Sequence, residues 1–412
     1  MLRGDALGRS IATLTIAAAA LVPAACGSSD SSSDDTKQGA AGVSQAATDS
    51  PQTVDWPFFG RIDGRTHYLG GKDLDPPFNE IWARQEGVLL EYPPALHDGV
   101  LYMADKAGEI RALRASTGDT IWTRSGQGTK NGAPDDTTGP AYAHNRVFVA
   151  MQRGEVLALD PSTGKVVWDK VLPTQLESSP LVIRDTLYIG SDKGIVYALD
   201  TSNGKARWSY KASSAPVKTS PSFVDGKVFF ADYDGVVHAV DAQSGRKVWQ
   251  HDTDGEAGGS GGFYSSPALA AGKLYIGRDD GGFFALDQDS GKLVWSKQTG
   301  APIIGSPAIA KVPGTPLSVY IGNYDGALVA YEAVGGRQRW RYRVGGAIPG
   351  TPTVVGTTVY TSSFRTQEAD GIDAKSGKRV WRFAAPGYTP MISDGEHLYL
   401  TGYESLRALE PK

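Results

Sequence analysis

The residues that decide the fold are 194–208, GIVYALDTSNGKARW, in which two alternating apolar runs flank the turn Asp-Thr-Ser-Asn-Gly-Lys. Alternation with a period of two is typical of β-strands, and a Gly with positive φ closes a tight turn between them. The stretch therefore predicts an antiparallel hairpin that ends in a tryptophan. Close copies occur at residues 154–168 (GEVLALDPSTGKVVW), 235–249 (GVVHAVDAQSGRKVW) and 282–295 (GFFALDQDSGKLVW).

Eight of the nine tryptophans mark this repeat along the chain, at intervals of 40 to 46 residues. Each copy also contains a Pro, often preceded by Ser, and two further short apolar runs, so each repeat holds four strands. Four-stranded units with this period are typical of β-propeller blades. We expect the ring of each tryptophan to dock against the neighbouring blade. The docking residues are Trp82, Trp122, Trp168, Trp208, Trp249, Trp295, Trp340 and Trp381.

The number of blades follows from the two ends of the repeat region. Seven complete units run from Pro94 to Trp381, and residues 390–410 hold three more strands without a final Trp. Residues 78–85 supply the missing strand, and pairing the two ends hides the sheet edges. We therefore predict an all-β, eight-bladed β-propeller of four-stranded blades over residues 76–412.

The composition excludes several classes of function. The 41 Lys and Arg residues are matched by 45 Asp and Glu, with a net charge of −4, so no basic surface for nucleic acid is expected. The six His residues lack the spacing of metal ligands, and a single Cys cannot build a thiolate zinc site. We expect a monomer without a metal site.

The N-terminus has the pattern of a bacterial export signal. Arg3 and Arg9 precede an apolar run at residues 11–22. The stretch LVPAAC at residues 21–26 resembles a lipobox, in which the signal is cut before the Cys and a diacylglycerol is attached to its thiol. An ordinary secretory signal with an incidental Cys is the alternative.

These observations predict the organisation of the remaining chain. Residues 1–25 form a lipoprotein signal peptide, and Cys26 is lipidated. Residues 26–55 are rich in Ser and Asp and poor in apolar residues, so they form a disordered tether. Residues 56–75 lead into the propeller. The chain is thus expected outside the cytoplasm, anchored to the cell membrane.

The A-L-D-x-x-T-G-K-x-x-W repeats resemble the pyrroloquinoline quinone (PQQ)-like propeller superfamily over about residues 76–412. Some copies depart from the pattern, since Arg114 and Glu332 replace the turn Asp and Gly371 replaces the Ala. An exported propeller with a lipobox and no further domain is similar to the BamB-type lipoproteins of the outer-membrane β-barrel assembly machinery. The resemblance implies a non-catalytic scaffold that binds proteins or serves envelope assembly.

Quinoprotein alcohol dehydrogenases share this superfamily, and resemblance to them implies PQQ, Ca²⁺ and a disulfide of adjacent cysteines. Cys26, the only Cys of this chain, lies in the lipobox. We therefore expect neither catalytic residues nor a cofactor. A PQQ-binding quinoprotein of the dehydrogenase type is the first alternative, and a carbohydrate-binding surface module is the second.

Two links between blades, residues 123–139 and 250–264, are longer than the others, and binding is frequent on long loops of a rigid scaffold. Aromatic residues with a polar rim near the second link favour an interaction surface for a protein partner. The alternative is that the tyrosines pack against adjacent turns and the acidic link is only solvated. The candidate residues are Tyr233, Asp254, Glu256, Phe263, Tyr264, Arg278 and Tyr324.

Overall fold

The computed structural model describes residues 54–71, 74–126, 135–363, 365–384, 387–388 and 390–412. The predicted signal peptide, Cys26 and nearly all of the predicted tether lie outside these ranges. In the described part, eight antiparallel sheets of four strands form the blades of a β-propeller, which confirms the predicted fold. No helix among these residues is long and apolar enough to cross a bilayer.

The strands follow the repeat, four to a blade, with one extra short strand. Before the first blade come β1 (Tyr68–Leu69) and β2 (Phe78–Gln85). Blade 1 has β3 (Ala95–His97), β4 (Val100–Ala104), β5 (Ile110–Arg114) and β6 (Thr120–Arg124); blade 2 has β7 (Ala141–Ala143), β8 (Arg146–Ala150), β9 (Glu155–Leu159) and β10 (Val166–Val171). Blade 3 has β11 (Leu181–Ile183), β12 (Thr186–Gly190), β13 (Ile195–Asp200) and β14 (Ala206–Lys211); blade 4 has β15 (Ser222–Val224), β16 (Lys227–Ala231), β17 (Val236–Asp241) and β18 (Lys247–Asp252).

The second half of the ring repeats this plan. A single 3₁₀ turn, Glu256–Gly258, lies between blades 4 and 5. Blade 5 has β19 (Ala268–Ala270), β20 (Lys273–Gly277), β21 (Gly282–Asp287) and β22 (Leu293–Gln298); blade 6 has β23 (Ala308–Ala310), β24 (Ser318–Gly322), β25 (Ala327–Glu332) and β26 (Gln338–Arg343). Blade 7 has β27 (Thr353–Val355), β28 (Thr358–Ser363), β29 (Glu368–Asp373) and β30 (Arg379–Phe383); blade 8 has β31 (Ile392–Ser393), β32 (Leu398–Thr401) and β33 (Ser405–Pro411), and β2.

The position of a strand in its blade explains its hydrophobic pattern. The short first strands of neighbouring blades contact each other around the axis. The second and third strands are covered by the adjacent blades on both faces, and β12 is therefore buried at every residue. The fourth strands form the circumference and alternate between buried and exposed residues.

The tryptophans of the fourth strands join each blade to the next. The indole N–H donates to a backbone carbonyl in the turn between the third and fourth strands of the following blade, over 2.7–3.0 Å. The Gly of that turn has φ between 66° and 74°, and a Cβ there would lie 2.5–2.9 Å from the indole ring. This Gly is needed twice, for the left-handed backbone and for the ring that covers it.

A small residue stands opposite each tryptophan on the third strand, where the register shifts. Seven of these partners are Ala, and the eighth is Gly371. Gly371, which departs from the Ala of the repeat, therefore keeps a small residue opposite Trp381.

The ring closes as the sequence predicts. Strand β2 pairs antiparallel with β33 and becomes the fourth strand of blade 8. Trp82 donates to the carbonyl of Ala115 in blade 1 and covers Gly118. Because blade 8 takes its fourth strand from β2, no turn joins its third and fourth strands beside Trp381, and the ring of Phe78 meets that indole edge-on at 5.4 Å.

The predicted lead-in was residues 56–75, but residues 54–69, which include the last two residues of the predicted tether, form a girdle that runs once around the inside of the ring. The innermost strand of a blade has an unpaired edge, and the girdle pairs with it in six of the eight blades. The carbonyls of Trp56, Pro57, Asp63, Gly64, Thr66 and His67 accept the N–H groups of Leu96, Tyr142, Phe223, Leu269, Ile309 and Val354 over 2.7–2.9 Å. Strand β1 ends the girdle in a parallel pairing with β27.

Candidate functional site

The two faces of the propeller differ in what they present. One face, which we call the N-terminal face, holds the turns that follow the first and third strands. The two kinds of turn are bonded to each other, as where the N–H of Ala115 donates to the carbonyl of Gly99. The girdle begins on this face, where the N–H of Val54 meets the carbonyl of Asp394. The opposite face, which we call the funnel face, holds the turns that follow the second strands and the links between blades. Backbone hydrogen bonds join these turns to the links, as where the N–H of Tyr233 donates to the carbonyl of Pro216.

A funnel opens at the centre of the funnel face. Its space is about 660 Å³, counted out to the open mouth. Phe59 of the girdle lies at the inner end of the funnel. The charged and tyrosine side chains that line the funnel are Glu91, Tyr92, Glu177, Lys218, Tyr264 and Tyr388. A concave site of this size that combines aromatic rings with a few charged groups is typical of ligand binding.

A belt of hydroxyl groups forms the wall of the funnel from blade 2 to blade 7. The N–H preceding one inner strand donates to the hydroxyl in the next blade, over 2.8–3.1 Å. The belt residues are Gly139, Ser179, Ser220, Ser266, Ser306 and Thr351. The repeated Ser-Pro pairs of the sequence therefore join neighbouring blades near the axis.

The belt is broken at blade 1, where Pro93 has neither a hydroxyl nor an N–H. One residue earlier, blades 3 and 5 have Ser178 and Ser265, whose hydroxyls bind their own second strands. Blades 1 and 8 have Tyr92 and Tyr388 at this position, and both line the funnel. Two of the funnel's aromatic groups thus occupy positions at which blades 3 and 5 have Ser.

Lys218 is held in a cage of anionic and aromatic groups. Its ammonium donates to Glu177 and to the hydroxyl of Tyr264, each over 3.1 Å. The same nitrogen lies 5.1 and 5.7 Å from the ring centroids of Tyr264 and Tyr233. Burial lowers the pKa of Lys218, but the hydrogen bonds and the negative charge of Glu177 outweigh it, so the pKa is raised above its ordinary value.

A second charged group lies next to the first, since Glu91 and Glu177 line one small cavity together with Lys106 and Asp136. Lys106 pairs with both Glu91 and Asp136, so this group has one surplus negative charge. Burial raises the pKa of Asp136 in spite of the pairing. Burial and, to a smaller extent, the charge of Glu91 raise the pKa of Tyr324 and of Tyr388.

The inner end of the funnel is closed by buried polar residues of the girdle. The guanidinium of Arg65 donates to the carbonyls of Pro221 and Phe59, and burial lowers its pKa to about 9. His67 lies edge-on to Phe59 with ring centroids 4.8 Å apart. Burial and the neighbouring Arg65 lower the pKa of His67 to about 3, so its imidazole is neutral.

Five of the seven predicted surface residues lie at the funnel face with accessible side chains. Tyr233 and Tyr264 meet edge-to-face at 5.1 Å, and Tyr264 lines the funnel. Tyr324 is 39% exposed. Asp254 is exposed in the link, where Glu256 pairs with His251 over 3.1 Å.

Phe263 and Arg278 do not belong to an interaction surface, because both side chains are fully buried. Phe263 packs in the core between blades 4 and 5. Arg278 donates to the carbonyls of Thr253 and Glu256 and pairs with Asp280. These two residues fasten the link 250–264 to the propeller. Half of the other long link, residues 127–134, lies outside the described residues.

Sequence reasoning missed Glu91, Tyr92, Lys218 and Tyr388, which line the funnel together with Tyr264. A signal for two of them was present, because a Tyr occupies the place before the inner strand where four of the other six repeats have Ser or Thr. The charged residues gave no such signal, since they come from separate links that only the closed ring brings together.

The fold and funnel define an eight-bladed propeller whose tryptophan-docked repeats surround an axial site. The family model described as outer membrane protein assembly factor BamB matches residues 106–233, 182–319 and 310–406, which together span more than half of the chain. The chain belongs to this family. Among curated proteins, no significant match is found.

Solved structures show the same fold at low sequence identity. BamB from Moraxella catarrhalis has a TM-score of 0.67 and 18% identity, over 81% of this chain and 100% of that chain. A quinohemoprotein alcohol dehydrogenase from Comamonas testosteroni has a TM-score of 0.72 and 15% identity, over 88% and 81%. Another from Pseudomonas putida HK5 has a TM-score of 0.74 and 15% identity, over 87% and 80%.

The funnel does not fit the quinone cofactor that the superfamily implies. PQQ is a planar tricarboxylate, and such an anion requires several cationic groups. Among the described residues that line the funnel, the only ammonium is that of Lys218, which is paired with Glu177, and Glu91 would repel the anion. Within the described residues, no group of three or more His, Cys, Asp or Glu side chains could hold a metal ion.

Proposed function

We propose that this chain is an extracytoplasmic lipoprotein whose propeller binds other proteins of the cell envelope without catalysing a reaction. Membership of the family described as outer membrane protein assembly factor BamB supports a role in the envelope and in protein contacts. The observation that carries the proposal is the funnel face, where aromatic side chains from several blades surround a concave, water-accessible mouth. Aromatic residues around a pocket are typical of the central contacts in protein interfaces.

The chain enters the propeller on the N-terminal face, where the N–H of Val54 donates to the carbonyl of Asp394. A lipid on Cys26 would therefore be connected to the propeller through this face, whereas the funnel face lies at the other end of the blades.

A non-catalytic role is supported by the poor match between the funnel and the superfamily's cofactor. Glu91 and Glu177 oppose the binding of a tricarboxylate, and their partners Lys106 and Lys218 are already neutralised. Purified protein mixed with PQQ and Ca²⁺ should show no dye-linked alcohol oxidation. Saturable turnover would contradict this part of the proposal.

Site-specific photocrosslinking in intact cells tests the scaffold proposal. A photoreactive amino acid at Tyr324, on the funnel face, should give a discrete protein adduct, whereas the same group at Asn203, an exposed turn of the N-terminal face, should not. Adducts from Asn203 alone, or from neither position, would contradict binding at the funnel face.

Membrane fractionation tests the anchor separately. Cys26→Ser should move the protein from the membrane to the soluble fraction and abolish labelling by a palmitate analogue, because a diacylglycerol anchors stably where an unmodified chain does not. Membrane retention of the variant together with unchanged labelling would remove the lipoprotein assignment and leave the scaffold proposal standing.

A further inference from the structure

The mouth of the funnel has an excess of negative charge that its own lysines do not balance. Glu91 and Glu177 line the funnel, and Asp136 shares Lys106 with Glu91. Lys106 and Lys218 are the ammonium groups paired with this set. Three carboxylates against two ammonium groups leave a net charge of −1.

Tyrosine rings surround the same mouth. Tyr264 and Tyr388 line the funnel, and Tyr324 is exposed on a turn of the same face. The face of an aromatic ring attracts a cation, and the attraction grows when the cation is partly desolvated. Rings and carboxylates in one concave site therefore favour the same kind of guest.

The protein already holds one cation in this way. The ammonium of Lys218 is bound by Glu177 and lies over the rings of Tyr233 and Tyr264 at 5.7 and 5.1 Å. Next to this cage, Glu91 and the ring of Tyr388 also line the funnel, and Glu91 shares Lys106 with Asp136. This part of the funnel therefore keeps one surplus negative charge beside an aromatic ring.

We propose that the funnel binds a basic side chain, arginine in preference to lysine, presented on an exposed segment of a protein partner. The guanidinium would insert between Tyr324, Tyr388 and Tyr264 and neutralise the surplus charge at Glu91. Arginine is preferred because its planar group stacks on a ring while its edge donates to a carboxylate. This inference rests on the proposed function and specifies the chemistry of the partner.

Peptide binding to the purified mature chain tests the inference. The probe is a fluorescein-labelled Gly-Ser-Gly-Arg-Gly-Ser-Gly peptide, and its control replaces arginine by citrulline, which keeps the shape and loses the charge. The arginine peptide should bind about tenfold more tightly than the citrulline peptide, and raising the salt concentration should reduce this ratio.

Matched variants locate the binding site. Glu91→Gln and Tyr324→Ala should each weaken binding of the arginine peptide about fivefold, whereas Asp119→Asn, an exposed carboxylate on the N-terminal face, should leave it unchanged. Thermal unfolding curves that coincide with the parent show that the variants remain folded. A loss confined to Asp119→Asn, or equal for all three variants, would overturn the proposal.

The other outcomes also decide between proposals. Equal affinity for the arginine and citrulline peptides, absence of binding at millimolar peptide, or preferential binding of a neutral oligosaccharide such as chitotetraose would overturn the basic-side-chain inference. If the photocrosslink from Tyr324 then persists unchanged in the Glu91→Gln background, the scaffold proposal survives and only the chemistry of its partner is wrong.

Discussion

The circumference and the axis of this ring are built on opposite rules. At the circumference, seven of the eight tryptophans make the same contact, an indole N–H on a carbonyl and a ring over a Gly of the next blade. At the axis, the blades present different groups to the funnel, from Ser220 and Ser266 to Tyr92 and Tyr388. A repeated contact specifies a repeated shape, whereas a site needs residues that differ from blade to blade.

The same contrast separates the two segments of the N-terminal part of the propeller, strand β2 and the girdle. Strand β2 completes blade 8 by copying the contacts of an ordinary fourth strand. The girdle, only a few residues upstream, follows no repeat and pairs with the edges of six inner strands. The N-terminal part of the propeller therefore stabilises the ring at both its outer and its inner rim. Variants at the two rims test this comparison.

Loss of the closing tryptophan should have the largest effect. Trp82→Ala should lower the free energy of unfolding by about 3–5 kcal/mol, because it removes a docked ring and leaves a cavity over Gly118. Trp249→Ala, inside a continuous blade, is the matched control and should cost a similar amount. Chemical denaturation measures both, and a cost below about 1 kcal/mol for Trp82→Ala alone would show that the ring does not depend on its terminal strand.

A Cβ under a docked ring should cost more than the same Cβ in open space. Gly291 and Gly272 both have φ of 70°, but a Cβ at Gly291 would lie 2.5 Å from the ring of Trp249, and at Gly272 it would meet nothing within 4 Å. Gly272→Ala should cost about 1–2 kcal/mol for the left-handed backbone. Gly291→Ala should cost about 1–2 kcal/mol more from overpacking. Equal stabilities of the two variants would contradict the role of this Gly in docking.

At the inner rim, Arg65→Met should lower the free energy of unfolding by about 2 kcal/mol. The substitution keeps much of the volume but leaves the buried carbonyls of Pro221 and Phe59 without their charged donor. Arg184→Met, on an exposed turn, is the control and should change stability by less than about 0.5 kcal/mol. If Arg65→Met is as stable as the parent, the girdle does not depend on its central arginine.

The smallest expected effect is a pH dependence of the free energy of unfolding. It arises near the start of the girdle, where the backbone carbonyl of Asp394 accepts the N–H of Val54. The hydrogen bond to Asp394 raises the pKa of His397 above its ordinary value of 6.5, more than burial lowers it. Stabilisation by this group is therefore complete below pH 6.5 and is lost as the pH rises through the higher pKa of the folded state. Its size should be below about 1 kcal/mol.

His397→Gln isolates this contribution. Below pH 6.5 the parent should be more stable than the variant, and the difference should shrink toward pH 8 as the imidazole becomes neutral. Thermal unfolding at pH 5.5, 7 and 8.5 measures the difference. A difference that stays constant with pH would assign the effect to packing rather than to charge.

Most of the fold could be predicted because the information is local and repeated. The turn Asp-x-x-x-Gly-Lys and the Trp that follows it specify a hairpin and its dock in one short stretch, and counting copies gives the number of blades. The funnel could be predicted only in part. Tyr233, Tyr264 and Tyr324 lie next to recognisable turns of the funnel face, and of these Tyr264 lines the funnel. Arg278 and Phe263 are buried instead, because burial depends on which neighbouring segments cover a side chain.

The sequence by itself determined the eight blades, the strand that closes them and the tryptophan seam, because each of these follows from a period that one chain displays along its length. Only the tertiary structure decided what stands at the axis. Glu91, Lys218 and Tyr388 lie more than a hundred residues apart and meet only after the ring has closed. The girdle likewise has no pairing partner until the inner strands surround it. Contacts along the axis depend on the curvature of the whole ring, and no local pattern of residues encodes that curvature.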